Sequence, residues 1–329
     1  MLYIDNENIM DAGLNLAIEE YILKELDPEE TYLLFYSMNP TVIVGKNQNT
    51  IEQIDTSYIR ENNVDVIRRL SGGGAVYNDQ GNLSFSIITK DDGNSFHNYK
   101  KFTDPVVKAL GKLGVDAELS GRNDLLVNGK KISGNAQFST KGRMYSHGTL
   151  MFNVNLENVV KALKVNKEKI ESKGIKSIRS RVTNISEHMD REMTREEFKQ
   201  TLLQYIFEEK EEIPSYNLKE KDWEAIHKIA EERYKNWDWN YGRSPKFNVQ
   251  HSKRFPIGSI DVRLEVKKGY IEQATIFGDF FGVGDVKELE NKLVGVRYEP
   301  GSLEEALQNL DVSHYFGKIT KEEFIDLLY

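Results

Sequence analysis

Arg68-Arg69-Leu70-Ser71-Gly72-Gly73-Gly74-Ala75-Val76 sets two guanidinium groups ahead of three successive glycines. Glycine loses more backbone freedom on ordering than any other residue, so three together call for a compensating benefit. Without Cβ atoms, successive amides can approach an anion closely and form a concave cradle for it. Arg69 adds a planar fork that matches a carboxylate or a phosphate. A tight turn with solvated arginines fits the same residues. The run is not a P-loop, because no Gly-x-x-x-x-Gly-Lys-Ser/Thr occurs, and it is not a Gly-x-Gly-x-x-Gly dinucleotide turn.

A second constellation is Gly121-Arg122-Asn123-Asp124 followed by Gly129-Lys130-Lys131-Ile132-Ser133-Gly134-Asn135-Ala136. Lys131 and Ser133 are two apart, so on a regular strand they point to one face. A lysine held beside glycine amides can neutralise a carboxylate and a phosphate that must approach each other. Asp124 is a candidate Mg²⁺ ligand, since that ion takes one or two carboxylates and completes its shell with phosphate oxygens and water. An exposed hairpin with surface lysines is the plainer alternative.

A third stretch is Tyr145-Ser146-His147-Gly148-Thr149-Leu150. A lone histidine beside a glycine is more often structural than catalytic. The six histidines show no His-x-x-x-His spacing, which argues against zinc. The fourth stretch, Ser172-Lys173-Gly174-Ile175-Lys176-Ser177-Ile178-Arg179-Ser180-Arg181-Val182-Thr183-Asn184, reads as a basic loop. Loops of this kind close over phosphates and exclude water. A solvated charged linker has the same composition.

Composition narrows the chemistry. The chain of 329 residues has no cysteine, which removes disulfides, thiolate metal sites and cysteine nucleophiles. A net charge of −8 argues against broad nucleic-acid binding. The basic residues named above nevertheless gather in the first 181 positions, several beside glycines, and this suggests a small anionic ligand rather than a polyanion. No apolar run reaches the roughly eighteen residues needed to span a membrane. Met1-Leu2-Tyr3-Ile4-Asp5-Asn6-Glu7 has no basic and apolar leader pattern, so the cytoplasm is the expected compartment.

These residues need elements to position them. Asp11 can cap a helix whose Leu14, Ala17, Ile18, Tyr21 and Ile22 share a face. Strands are expected over 31–38, 41–45, 65–70, 75–77 and 82–89, with Asn39-Pro40 and Asn78-Asp79-Gln80-Gly81 as turns. A helix over 99–113 should be interrupted near Pro105. Short strands then run to Val154, broken at Gly121, Asn128-Gly129 and Lys141-Gly142. Helices follow over 156–163, 194–212 and 222–237, the second with a Thr194/Glu197 capping box. After a Trp-, Asn-, Gly- and Pro-rich stretch ending at Gln250 come a hairpin over 258–277, turning at Lys267-Lys268-Gly269, and three helices over 286–293, 303–310 and 321–328. Mixed strands and helices without regular βαβ alternation indicate an α+β fold, with a domain boundary near residue 246.

In their order and spacing, these stretches resemble lipoate–protein ligase A. The matching motifs are Arg68-Arg69-Leu70-Ser71-Gly72-Gly73-Gly74-Ala75-Val76, Asp79-Gln80-Gly81-Asn82, Asn123-Asp124, Lys131-Ile132-Ser133-Gly134-Asn135-Ala136, His147-Gly148-Thr149-Leu150 and Ser177-Ile178-Arg179-Ser180-Arg181-Val182-Thr183-Asn184. Trp239-x-Tyr241-Gly242-x-Ser244-Pro245-x-Phe247 is similar to the segment closing that family's large domain. The likeness covers most of residues 30–250. It implies a biotin/lipoyl ligase-like large domain of mixed β-sheets flanked by helices over residues 1–246, and a small α+β accessory domain over 247–329.

The resemblance also implies a two-step reaction. Lipoate and MgATP give lipoyl-AMP and pyrophosphate, and a lysine of an apo lipoyl-domain protein then attacks the mixed anhydride. The acceptor would be a 2-oxoacid dehydrogenase E2 subunit or the glycine cleavage H protein, with no nucleic acid or membrane involved. Lys131 matches the lysine that contacts the lipoyl carbonyl and the α-phosphate. Arg69, Ser71, Gly72, Gly73, Gly74, Ala75, Asn82, Asn123, Ser133, Gly134, Ala136, His147, Gly148 and Thr149 fall on ligand-binding stretches. Lys173, Gly174 and Arg179 belong to the loop that covers the adenylate.

Related activities are separable. Octanoyl and lipoyl transferases of the same fold use a cysteine thioester, which this chain cannot form. Biotin–protein ligase also adenylates a carboxylate, but its Gly-Arg-Gly-x-x-Gly loop is missing here, as is a helix-turn-helix signal. A lipoate-binding protein without catalysis would have no need of Lys131, Asp124 and the basic loop. No dedicated base is evident in the sequence, so the acceptor amine could lose its proton to a substrate oxygen or to water.

Overall fold

The computed structural model describes residues 1–164, 180–241 and 248–329. They pack as two compact units. The first comprises Met1–Ile43, Ile51–Arg68 and Val76–Asn236; the second comprises Val44–Thr50, Arg69–Ala75 and Trp237–Tyr329.

The first unit is built on strands β1 (Leu2–Asp5), β2 (Tyr32–Tyr36), β3 (Thr41–Val44), β4 (Asp65–Arg68), β5 (Val76–Asn78), β6 (Asn82–Lys90), β7 (Glu118–Ser120), β8 (Asp124–Val127), β9 (Lys130–Thr140) and β10 (Arg143–Met151). Seven of them form one sheet in the order β1-β2-β6-β10-β9-β8-β7, and β4-β3-β5 form a second. Only β1 and β2 run parallel in the large sheet. Every other pair in it is antiparallel.

Two of the tight connections follow from left-handed backbone. Asn128-Gly129 joins β8 to β9 with φ of 50° and 73°, and Lys141-Gly142 joins β9 to β10 with φ of 49° and 75°. Positive φ at both central residues suits the turn whose twist matches that of the strands.

Among the described residues, its α-helices longer than four residues are α1 (Ala12–Glu25), α2 (Thr56–Glu61), α3 (Tyr99–Gly111), α4 (Leu156–Ala162), α5 (Arg195–Ile206) and α6 (Glu220–Ile229). Asp11 caps α1 by accepting from the Leu14 amide at 2.8 Å. One face of the large sheet (Leu33, Phe35, Phe85, Ile87, Met144, Leu150) buries against Phe102, Val106 and Leu110 of α3 and Phe198, Leu202 and Leu203 of α5. Its other face carries Ser86 and His147.

Three helical expectations change. α3 is not interrupted at Pro105. Its Phe102, Val106, Ala109 and Leu110 are buried, and the Lys101 carbonyl that Pro105 cannot serve belongs to an exposed residue, on the solvent side of the helix. α5 stops at Ile206 rather than Glu212, because Glu208 and Glu209 take φ of 57° and 56°. Its capping box is present. α6 starts at Glu220 and ends at Ile229, passing into a wider π-type turn over Ala230–Tyr234.

The second unit holds β11 (Val249–Phe255), β12 (Gly258–Lys267) and β13 (Tyr270–Gly278) as one antiparallel sheet. Among the described residues, its α-helices longer than four residues are α7 (Val286–Leu293), α8 (Pro300–Leu307), α9 (Val312–Phe316) and α10 (Lys321–Leu328). Lys268 (φ 50°) and Gly269 (φ 84°) turn the β12–β13 hairpin as the sequence suggests. β11 and α9 were not expected. β11 has mostly exposed residues and so little alternation to read, and α9 has five residues.

Candidate active site

β9 carries the central lysine, and a bulge decides which way it points. Leu125 pairs with Ser133 but Leu126 pairs with Lys131, so Ile132 is an extra residue. An extra residue breaks strict alternation. The expectation that Lys131 and Ser133 share a face is therefore wrong. Ser133 is fully buried, and its Oγ accepts from the side-chain Nδ2 of Asn135, two residues on, at 3.2 Å. Lys131 instead lies over Gly134: a Cβ built there would stand 2.9 Å from its Nζ and 3.1 Å from its Cε. Glycine at 134 leaves room for the ammonium.

Lys131 Nζ also lies 2.8 Å from Asp124 Oδ1, with both side chains about one-third exposed (34% and 32%). Its backbone is held as well. The Lys131 amide donates to the Arg181 carbonyl at 2.7 Å and its carbonyl accepts from the Thr183 amide at 3.1 Å. The end of the basic segment is thus stapled to the lysine's own strand. Lys173, Gly174 and Arg179 lie outside the described residues.

Ala136 is paired with His147, and His147 with Ser86, across β9, β10 and β6. Paired residues share a face, so Gly134, Ala136 and His147 stand on the same side of the sheet. There the His147 Nδ1 meets both carboxylate oxygens of Glu19 from α1, at 2.9 and 3.1 Å. Thr149, two residues on, has the same orientation as His147. Gly148 points to the other side, where a Cβ would come 2.1 Å from Asn135 Oδ1 and 2.8 Å from the Phe85 ring.

Asn123 and Asn82 act on backbone. The Asn123 side-chain amide donates to the Asn135 carbonyl at 2.5 Å, and the Asn123 carbonyl accepts from the Asn135 side chain at 3.0 Å. Asn82 Oδ1 accepts from the Asp79 amide, locking the β5–β6 turn. Burial pushes the Asp79 carboxyl above the usual range, against the opposing amides of Gly81 and Asn155. Burial likewise pushes the Tyr77 hydroxyl up to about 12.

The glycine run belongs to the second unit. Arg69 folds back along it: Nε donates to Ser71 Oγ at 2.9 Å, and Nη2 to the carbonyls of Gly72 at 2.5 Å and Gly74 at 2.9 Å. Much of the fork expected to grip a ligand anion therefore holds the loop in shape. A trans peptide sets N–H opposite C=O, so turning the Gly74 carbonyl onto the guanidinium aims the Ala75 amide away from it. Gly73 needs its left-handed φ of 89°, and a Cβ there would meet the Phe281 ring at 2.6 Å. A Cβ at Gly72 would stand 2.4 Å from the Phe280 carbonyl.

A nucleotide-borne Mg²⁺ fits a single carboxylate such as Asp124, since phosphates and water supply its remaining ligands. Among the described residues, no group of three or more His, Asp or Glu could hold a metal unaided. Sequence reasoning missed Glu19. The available signal was the acidic pair Glu19-Glu20 inside the apolar Leu16–Leu23 stretch, where both are buried.

In the first unit, a lysine seated over a glycine and a buried histidine–carboxylate pair on an α+β scaffold suit a carboxylate-activating acyl ligase. The family model of the lipoyl protein ligase A/B catalytic domain matches residues 11–207. That of the bacterial lipoate protein ligase C-terminus matches residues 244–328. Lipoate-protein ligase LplJ of Bacillus subtilis (strain 168) is 66% identical over 331 residues, covering 100% of both chains. The crystal structure of P. falciparum LipL1 in complex with lipoate superposes with a TM-score of 0.78 at 25% identity, covering 99% of this chain and 97% of that one. Lipoate-protein ligase A bound with ATP gives a TM-score of 0.62 at 26% identity, covering 74% of this chain and 97% of that one. The chain belongs to the lipoate–protein ligase family.

Proposed function

We propose that Lys131 is the cation on which both half-reactions of this ligase turn. The enzyme activates lipoate with ATP to lipoyl-AMP and then transfers the lipoyl group to a lysine of a lipoyl-domain protein. Carboxylate and triphosphate repel each other, and a fixed ammonium where their oxygens meet lowers that barrier at no reorganisation cost. The observation that carries this role is the seat of Lys131 over Gly134, with its backbone stapled at Arg181 and Thr183. Asp124 orients the ammonium and gives Mg²⁺ one ligand when nucleotide binds. Mg²⁺ itself would neutralise charge on the phosphates.

The remaining assignments divide by what each side chain does. Ser71, Gly72, Gly73, Gly74 and Ala75 offer backbone and hydroxyl donors to the ligand, in a loop shaped by Arg69. Gly134, Ala136, His147 and Thr149 line the sheet face beside Lys131. Asn82, Asn123, Ser133 and Gly148 act through the backbone they fix. Lys173, Gly174 and Arg179 cover the adenylate, which hydrolyses if wet. Residues 1–246 hold lipoate and ATP, and residues 247–329 are accessory. The acceptors are apo lipoyl domains of 2-oxoacid dehydrogenase E2 subunits or the glycine cleavage H protein, met in the cytoplasm where ATP is supplied. Among the described residues, no helix is long and apolar enough to cross a membrane.

Lipoate-dependent ATP–pyrophosphate exchange tests the reading. Robust exchange with lipoate and none with biotin is expected; no exchange with any short carboxylic acid would overturn it.

A further inference from the structure

Asn184 closes the basic segment, and its side chain is engaged with backbone elsewhere in the first unit. Its Oδ1 accepts from the Val154 amide at 2.8 Å, and its Nδ2 donates to the Val154 carbonyl at 3.0 Å. Both residues are buried. A carboxamide carries an acceptor and a donor on one carbon, so it satisfies both backbone groups of a residue as a neighbouring strand would. An ionised aspartate at this place could only accept, and would set an oxygen against the Val154 carbonyl.

The clasp has a firm base. The Asn153 amide donates to the Gly81 carbonyl at 2.9 Å, and the Asn155 amide donates to Asp79 Oδ2 at 3.3 Å. Gly81 permits this approach, since a Cβ there would stand 2.0 Å from the Asn153 carbonyl oxygen. Asp79 Oδ1 accepts from the Gly81 amide at 2.8 Å, and Asn82 locks the same turn. At its other end the clasp is one residue from the staple on Lys131. Thr183 donates its amide to the Lys131 carbonyl at 3.1 Å, and Arg181 accepts from the Lys131 amide at 2.7 Å. Thr183 is buried, with Oγ1 3.0 Å from His188 Nε2.

We propose that Asn184 is a positioning residue for Lys131: by tying residues 181–183 to Val154, it holds the bulged start of β9 where the ammonium stands over Gly134. The bulge supplies the reason. An extra residue disrupts the β8–β9 ladder beside Lys131, so the backbone there needs support from its other side. Residues 181–183 give that support only while they are themselves fixed. Without the clasp they keep their bonds to Lys131 but move with it, and the staple no longer sets its place. Asn184 acts through Thr183 and Lys131, and the turn Asp79-Gln80-Gly81-Asn82 acts through Val154 and its neighbours. Two stretches that supply no cation to the reaction thereby take part in aiming one.

This role rests on the ligase reading and on the part given to Lys131 in it. Asn184→Asp and the milder Asn184→Ser are made in the full chain and assayed by lipoate-dependent ATP–pyrophosphate exchange, well below their melting midpoints. Because a displacement on the order of 1 Å can remove about 10²-fold in rate, kcat should fall about 10–100-fold in the aspartate variant and less in the serine variant. The KM values for ATP and lipoate should stay within about threefold of the parent, since a misplaced ammonium weakens the transition state more than ground-state binding. Hydrogen exchange read by mass spectrometry should speed up at the Lys131 and Thr183 amides and not in α3, whose Phe102 and Val106 belong to the core. A lowered melting midpoint with parental kcat, a change confined to KM, or unchanged exchange at those two amides would overturn the proposal. Collapse of both variants at the assay temperature would make Asn184 a packing residue and overturn it equally. Absence of lipoate-dependent exchange in the unaltered protein would instead sink the ligase reading, with the amide comparison still testing the clasp.

Discussion

Gly134→Ala separates the seat of Lys131 from the stability of the fold. The new Cβ would stand 2.9 Å from Nζ and 3.1 Å from Cε, where ordinary contacts begin at 3.4 Å. The ammonium must therefore shift by about half an ångström or more. Its side chain is flexible and one-third exposed, so the shift costs about 0.5–1.5 kcal/mol at most if a rotamer is strained. Replacing glycine by alanine returns about 0.4–1 kcal/mol by restricting the unfolded chain. The two effects nearly cancel, and Tm should stay within about 3 °C of the parent. Catalysis is less forgiving, since a displacement on the order of 1 Å can remove about 10²-fold in rate, or about 2.7 kcal/mol of barrier. Thermal melts and lipoate-dependent ATP–pyrophosphate exchange on one preparation read both quantities. Parental exchange in a folded variant would refute the claim that Lys131 works from this seat. A collapse of Tm together with exchange would make Gly134 a packing residue only.

Lys131→Ala should abolish adenylate formation while its circular dichroism spectrum is unchanged, and parental exchange would refute its role. Gly148→Ala should behave in the opposite way to Gly134→Ala. Its Cβ meets Asn135 Oδ1 at 2.1 Å and Phe85 in the core, so urea melts should show a loss of about 1–3 kcal/mol; an unchanged midpoint would refute the packing account. Asp222 is fully buried and accepts from the Tyr21 hydroxyl at 2.6 Å, the Tyr216 hydroxyl at 3.0 Å and the Lys219 amide at 2.8 Å. Burial works to raise its carboxyl, but these hydrogen bonds prevail and hold it below the ordinary range. A lowered folded-state value stabilises above the unfolded pKa of about 3.9 and is lost as pH falls through the folded value. Asp222→Asn should thus be less stable at pH 7 by about 1–3 kcal/mol, with the gap narrowing below about pH 4 in urea melts; a pH-independent gap would contradict this.

Much of the local structure is legible in the residue order. Asn128-Gly129, Lys141-Gly142 and Lys268-Gly269 mark their turns because left-handed backbone at consecutive positions favours glycine and asparagine. Thr194 and Glu197 announce the start of α5. Pro105 misled because a helix with one buried face tolerates a lost hydrogen bond on its wet side. β11 was missed because a mostly exposed strand carries little alternation.

For the site, sequence alone determined which residues are available: Lys131 and Asp124 among glycines, the triple glycine run, the lone His147, and no cysteine to divert the chemistry. Only the tertiary structure decided how they are used. The bulge at Ile132 moves Lys131 from the face of Ser133 to that of Gly134, since one extra residue reverses a period of two. Arg69 turns inward because loop carbonyls lie within reach of its fork. Glu19 becomes the partner of His147 because α1 packs on the β10 face. No spacing rule reaches across 128 residues; the contact exists only once helix and sheet have packed.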